Sequence, residues 1–93
     1  MLKDRKKSIE ITAVSKVTVT EGETTKEVAI EGYTCRINSD KPQDMTISKY
    51  FVNSEAAAMY LEHREECRAD YLEFQRESYA LQDKLIEEQE ANA

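Results

Sequence analysis

The side chains best suited to metal chemistry in this sequence are its single histidine and its two cysteines. His63 lies four residues before Cys67, so a helix would place both on one face, where they could chelate one metal ion. Cys35 could approach from another element, with Glu66 or Asp70 as a fourth ligand. Structural zinc sites usually have paired ligands at short spacing, which this chain lacks. We therefore expect that both cysteines are core residues and that the protein binds no metal and no cofactor. A metal-binding regulator is kept as a third hypothesis for the function, beside the two given at the end of this subsection.

Motifs for catalysis are also missing from the sequence. It contains no nucleophile elbow, no glycine-rich phosphate loop and no metallopeptidase motif, and it has only two glycines. Carboxylates are abundant, but they follow a helix pattern whose convex surface does not supply the water-restricted site that paired catalytic carboxylates need. We expect that the protein is not an enzyme.

Length and composition indicate one globular domain spanning residues 1–93, with 40% apolar and 34% charged residues. No apolar run approaches the roughly 20 residues of a membrane span, and no signal peptide is recognisable. Two cysteines are too few for a disulfide framework, so we expect a cytoplasmic protein with no membrane partner. A pI near 4.8 argues against direct binding to nucleic acid. The one basic cluster lies in residues 1–7, which we interpret as a solvated tail: Lys3, Arg5, Lys6 and Lys7.

Residues 8–52 have the alternation of a three-stranded antiparallel β-meander. Residues 8–20 and 26–37 predict a hairpin that turns at Gly22, and a third strand runs from Met45 to about Phe51. Near the turn, Val17 should pair with Val28. At the open end of the hairpin the expected pairs are Ile9–Ile37, Ile11–Cys35 and Ala13–Tyr33, and their register differs by one residue from that of Val17–Val28. One extra residue on the second strand reconciles the two halves, and we assign this β-bulge to Gly32 because glycine tolerates bulge geometry. The third strand should then pair Cys35 with Ile47 and Ile37 with Met45.

Residues 53–91 predict one long amphipathic helix, capped by Asn53 or Ser54 and not interrupted by proline or glycine. At 1.5 Å per residue it extends roughly 55 Å, whereas a 13-residue strand extends only about 43 Å. The predicted fold is therefore α+β, a meander with one long C-terminal helix packed across it, and the last turns of the helix overhang the sheet.

Apolar residues of the helix fall into two seams on a helical projection. The first holds Tyr60, Cys67, Tyr71, Phe74, Ser78, Leu81 and Leu85, and the second, roughly 100° away, holds Leu61, Leu72, Tyr79 and Ile86. Either the two form one wide buried face, or the first packs on the sheet and the second meets another chain. The overhang favours a homodimer, with an interface formed by Leu72, Tyr79, Leu81, Leu85 and Ile86.

Nearly all the net charge also lies in the helical half. Residues 54–93 hold eleven acidic and four basic residues, whereas residues 1–53 hold eight acidic and nine basic ones. Five of these carboxylates share one arc, which we call the acidic stripe: Glu62, Glu66, Asp70, Glu73 and Glu77. Like charges at this spacing cost a helix about 0.2–0.5 kcal/mol per pair. We expect all five carboxylates to be exposed on the side of the helix away from the sheet. The stripe is either a solvated face or an anionic surface that binds a basic groove on a partner protein.

These patterns predict a small, acidic, non-enzymatic protein-binding module. The leading hypothesis is an inhibitor of a nucleic-acid-handling protein, in which the acidic stripe occupies a groove evolved for phosphates and so mimics DNA. Small proteins of this type include the anti-CRISPR and anti-restriction proteins of phages and mobile elements, an analogy of size and charge only. The competing hypothesis is a self-associating structural or assembly protein that uses the long helix as its oligomer interface.

Overall fold

A computed structural model describes residues 8–91 and shows an open antiparallel sheet covered on one face by a single helix. The strands are β1, Ser8–Glu21, β2, Thr24–Asn38, and β3, Met45–Phe51, in the order β1-β2-β3. The helix α1 spans Ser54–Ala91. The predicted α+β meander with a long C-terminal helix is confirmed. The basic tail assigned to residues 1–7 lies outside the described residues.

The hairpin between β1 and β2 closes through two residues, Gly22 and Glu23. Gly22 has a φ of +62°, which tight hairpin turns of the primed types require at their first central position. A glycine is favoured there because side chains with a Cβ seldom adopt this conformation.

The register of the sheet agrees with the predicted pairs. Val17 pairs with Val28, and Ile9, Ile11 and Ala13 pair with Ile37, Cys35 and Tyr33 respectively. On the other side of β2, Cys35 pairs with Ile47 and Ile37 with Met45. A register shift also occurs near Gly32, as the two phases require, so the bulge in β2 is confirmed.

The residue assigned to that bulge was wrong. Ser15 pairs with Glu31 and Lys16 with Ala29, so the extra residue is Ile30. Ile30 and Glu31 are consecutive and both buried, which keeps the apolar face of β2 continuous past the bulge. Gly32 itself pairs regularly with Val14 and with Tyr50, and its φ is not positive.

Gly32 instead allows a close approach on the outer face of the sheet. The Tyr50 ring lies so near that a Cβ at Gly32 would overlap its Cζ and Oη atoms. An aromatic ring laid over a strand glycine compensates for the missing side chain. Gly32 is accordingly buried although it lies on the face away from the helix.

Asn53 caps the N-terminus of α1. Its side-chain Oδ1 accepts a hydrogen bond from the Ala56 backbone N–H at 2.7 Å, as an N-cap does for the third residue of a helix. The helix is bent at His63, whose φ and ψ are −120° and 18°. The sequence did not predict this bend, because neither proline nor glycine marks it.

The last turns of α1 are held by the connection between β2 and β3. Gln82 donates a hydrogen bond to the Pro42 carbonyl at 3.0 Å, and Gln89 donates one to the Asp40 carbonyl at 2.8 Å. Asn38 shapes this connection by accepting hydrogen bonds from the backbone of Asp40 and Lys41. The part of the helix that extends past the strands therefore packs on a loop of its own chain.

Two apolar clusters lie between helix and sheet. The first contains Val17, Ile30, Ala56 and Cys67, and the second contains Tyr33, Cys35, Ile37 and Phe74. Both cysteines are fully buried and free, which confirms their interpretation as core residues. Within residues 8–91, no helix has the length and apolar character needed to cross a membrane.

Candidate protein-binding surface

Three residues of the acidic stripe, Asp70, Glu73 and Glu77, lie on the flank of α1 that faces β1. Glu62, Glu66, Glu73 and Glu77 are exposed. Asp70 is half-buried, and its Oδ2 accepts a hydrogen bond from the Ser15 hydroxyl in β1 at 2.6 Å. The expectation that all five would be exposed on the side away from the sheet is therefore wrong for Asp70. The part of the stripe from Asp70 to Glu77 borders the sheet instead of lying opposite to it.

Ion pairs with lysine or arginine within residues 8–91 do not neutralise the acidic stripe. Among residues 8–91, none of the five carboxylates pairs with a lysine or an arginine. The nearest ionisable partner is His63, whose Nδ1 lies 3.4 Å from the Glu66 Oε1. The stripe therefore presents its negative potential to the surroundings.

A cleft of about 390 Å³ separates β1 from the stripe. Its β1 side is formed by Ala13, Val14 and Lys16, its floor by the rings of Tyr33 and Phe74, and its helix side by Asp70, Glu73 and Glu77. Both rings are almost fully buried, so they only close the bottom of the cleft, whose accessible surface is the acidic wall and the β1 side. Such a cleft suits a cationic side chain, whose charged end meets the carboxylates of the wall.

A buried polar network supports the floor of this cleft. The Tyr33 hydroxyl lies 2.9 Å from the Glu31 Oε1 and 3.1 Å from the Cys67 backbone carbonyl, and it donates to these acceptors. Glu31 is only 2% exposed, and its other oxygen lies 3.8 Å from the Lys49 Nζ. Lys49 in turn lies over the Tyr71 ring, 5.0 Å from its centroid. Within residues 8–91, every buried side-chain polar atom has a hydrogen-bond partner.

Burial also changes the acidity of two groups in this network. It raises the pKa of the Tyr33 phenol well above its usual range, and the hydrogen bond to the Glu31 carboxylate raises it further. Burial raises the pKa of the Cys67 thiol as well, although a hydrogen bond from Ser15 partly offsets the effect. Cys67 therefore stays protonated near neutral pH and has little nucleophilic character.

Sequence reasoning missed Ser15 and Glu31 as parts of this region. Ser15 shares the inward phase of β1 with Ile11, Ala13 and Val17, and this alternation could have identified it. Glu31 had no comparable signal, because its burial depends on the bulge at Ile30.

The second seam of the helix does not pack on the sheet. Leu61, Leu72 and Tyr79 are 68%, 54% and 53% exposed. The interpretation of both seams as one wide buried face is therefore wrong. Of the other residues predicted for an oligomer interface, Leu81 and Leu85 pack against the second apolar cluster, and Ile86 is half-buried.

The residues considered for a metal site are not brought together. His63 lies beside Glu66, whereas the Cys67 Sγ faces the Ser15 hydroxyl at 3.9 Å and Cys35 belongs to the other apolar cluster. Within the part of the chain that the structure describes, no three histidine, cysteine, aspartate or glutamate residues are placed to hold a metal ion.

Comparison with known protein families, curated proteins and solved structures finds no match for this chain. The function of this surface must therefore be inferred from its own geometry and charge.

Proposed function

We propose that this protein is a small, non-enzymatic protein-binding module that uses its acidic stripe to engage a basic surface on another protein. The observation that supports this most directly is that no lysine or arginine within residues 8–91 forms an ion pair with the stripe, together with the position of Asp70, Glu73 and Glu77 at the rim of a cleft. Carboxylates in a row repel one another, so a cationic partner gains electrostatic energy that no lysine or arginine ion pair within residues 8–91 supplies.

The favoured partner is a protein that handles nucleic acid, because a groove that binds phosphates carries a high density of lysine and arginine. Glu62, Glu66, Glu73 and Glu77 would occupy that groove as a DNA mimic, in the manner of anti-CRISPR and anti-restriction proteins. The protein would then act as a stoichiometric inhibitor. We also propose a cytoplasmic location, which two free cysteines fit.

Charge reversal tests this proposal. The variant Glu66→Lys/Glu73→Lys/Glu77→Lys leaves Asp70 and its hydrogen bond to Ser15 in place. The control Glu65→Lys/Asp83→Lys/Glu90→Lys has the same net charge, but its substitutions lie on another exposed side of α1. Both should fold normally, since exposed substitutions rarely alter stability by more than about 0.5 kcal/mol.

Each tagged protein is used to capture partners from the native host, followed by mass spectrometry and a salt elution. We expect a partner that is retained by wild type and by the control, lost by the stripe variant, and eluted by about 1 M salt, where the screening length is about 3 Å. The purified partner should lose its activity on nucleic acid at a 1:1 ratio. Equal capture by all three proteins would show that the stripe is only a solvated face.

Self-association is the second candidate function, supported by the exposed second seam. Leu72 and Tyr79 lie seven residues apart, a spacing found in helix pairs, and both are more than half exposed. Sedimentation equilibrium should then show a homodimer that tolerates high salt and dissociates in Leu72→Glu/Tyr79→Glu. A monomer at tens of micromolar would exclude this function.

A further inference from the structure

Within residues 8–91, the edge of the sheet beside Asp70, Glu73 and Glu77 is not paired with another strand. β1 is 14 residues long and pairs only with β2 within residues 8–91, so its outer edge offers free backbone N–H and C=O groups. Proteins usually protect such an edge with a proline, a bulge, a short strand, charged side chains, or a covering helix or loop. β1 has no proline, the bulge lies in β2, and the strand is long, with Lys16 as its one basic side chain. This edge is therefore open to a further strand.

The cleft lies where such a strand would place its side chains. A strand added beside β1 directs every second side chain toward the helix, at intervals of about 6.8 Å. Asp70 and Glu77, the ends of the acidic wall, are separated by about 10.5 Å of helix. Two successive inward side chains therefore fit along the wall formed by Asp70, Glu73 and Glu77.

We infer that the partner contributes an extended basic segment that pairs with the edge of β1 and inserts alternate lysine or arginine side chains into the cleft against Asp70, Glu73 and Glu77. This inference rests on the proposed function and specifies how the partner meets the acidic stripe. The backbone of β1 supplies hydrogen bonds, and the carboxylates select the charge of the segment.

The charge of the cleft also argues against a second copy of this chain as the occupant. β1 is nearly balanced, with two acidic residues and one basic residue, and a second copy would bring a second acidic stripe to the same edge. Like charges brought together disfavour that pairing. A cationic strand meets one like charge in the cleft, Lys16, against the three carboxylates of Asp70, Glu73 and Glu77.

The test uses the full chain, labelled with ¹⁵N, and an acetylated, amidated octapeptide of alternating lysine and valine. We expect saturable binding at low salt, with chemical-shift changes and slowed amide exchange in residues 9–17 of β1. The matching glutamate–valine peptide should not bind. Glu73→Lys/Glu77→Lys should lose binding of the lysine peptide, whereas the control Asp83→Lys/Glu90→Lys should keep it.

Two N-methylated peptides separate strand pairing from simple charge attraction. One is methylated on every lysine nitrogen of the backbone and the other on every valine nitrogen. In a paired strand only alternate N–H groups point at β1, so one peptide should bind at least about tenfold more weakly and the other should bind nearly as well as the parent.

Equal binding of both methylated peptides would overturn the inference but leave the acidic stripe as a binding surface. So would failure of the parent peptide to bind while the captured partner still depends on the stripe. Protection of β1 that grows with protein concentration in the absence of peptide would instead identify a second copy as the occupant, and the inference would be wrong.

Discussion

Replacing Tyr33 by phenylalanine should destabilise the fold by about 2 kcal/mol. The ring itself would be retained, including its stacking with Tyr71 at 5.3 Å and its contact with Phe74 at 5.4 Å between centroids. What is lost is the hydroxyl, which donates to the Glu31 carboxylate at 2.9 Å. A hydrogen bond to a charged acceptor contributes about 1.5–3 kcal/mol, and its removal leaves that acceptor buried with fewer partners.

The remaining partner of Glu31 cannot compensate for this loss. The Lys49 Nζ lies 3.8 Å away, and its side chain is 45% exposed, so water weakens this pair. Glu31 is itself 2% exposed, and solvent cannot reach it without a local opening of the helix–sheet contact. For a domain of this size, a loss of about 2 kcal/mol corresponds to a fall of roughly 10 °C in Tm.

The assay is urea unfolding followed by circular dichroism, with Tyr79→Phe as the matched control. Tyr79 is 53% exposed, so its hydroxyl should contribute less than about 0.5 kcal/mol. A double-mutant cycle with Glu31→Met gives the decisive comparison, because Tyr33→Phe should cost under about 1 kcal/mol once the carboxylate is absent. A loss below about 0.5 kcal/mol in wild type, or the same loss in both backgrounds, would refute this reasoning.

Three further perturbations test other parts of the fold. Asn53→Ala should lower the free energy of unfolding by about 1 kcal/mol, because the Ala56 N–H loses its capping acceptor, and thermal unfolding measures this. Gly32→Val should displace the Tyr50 ring rather than strain the backbone, so its destabilisation should disappear in a Tyr50→Ala background. Burial raises the pKa of both Cys67 and Tyr33, so above about pH 9 the unfolded chain releases protons that the folded chain keeps. The free energy of unfolding should then fall as pH rises, by up to about 1.4 kcal/mol per pH unit for each of the two groups. In Tyr33→Phe the fall above about pH 10 should be less steep. A free energy of unfolding that does not change with pH would contradict the raised pKa values.

The register of the sheet was predictable because apolar alternation fixes which side chains face the helix. Val17–Val28 and Ile11–Cys35 belong to two different phases, so an extra residue was required between them on β2. The alternation does not say which residue is extra. Glycine preference pointed to Gly32, but packing selected Ile30, whose side chain fills the first apolar cluster beside Val17.

The sequence predicts which residues form the acidic stripe, but it does not predict where the stripe lies relative to the sheet. Helical spacing groups Glu66, Asp70 and Glu73 on one arc, whatever the helix packs against. Which flank of the sheet this arc faces depends on the rotation and crossing of α1, which are decided by contacts such as Ser15–Asp70 between residues 55 positions apart. Local periodicity contains no information about such a contact, so the cleft could not be foreseen.

One flank of the helix carries the acidic stripe and the other carries the exposed apolar second seam. Binding to a basic partner and self-association can therefore be tested separately. Asp70, Glu73 and Glu77 of the acidic stripe border β1, whereas Gln82, next to the second seam, bonds to Pro42 in the connection that leads into β3. The residues of α1 that lie between these two flanks pack into the core, so substitutions on one flank should leave the other flank unchanged. A variant changed at Glu73 and Glu77 should keep any self-association, and one changed at Leu72 and Tyr79 should keep binding to a basic segment. Loss of both properties from either change would mean that a single surface, formed only in the dimer, performs both functions.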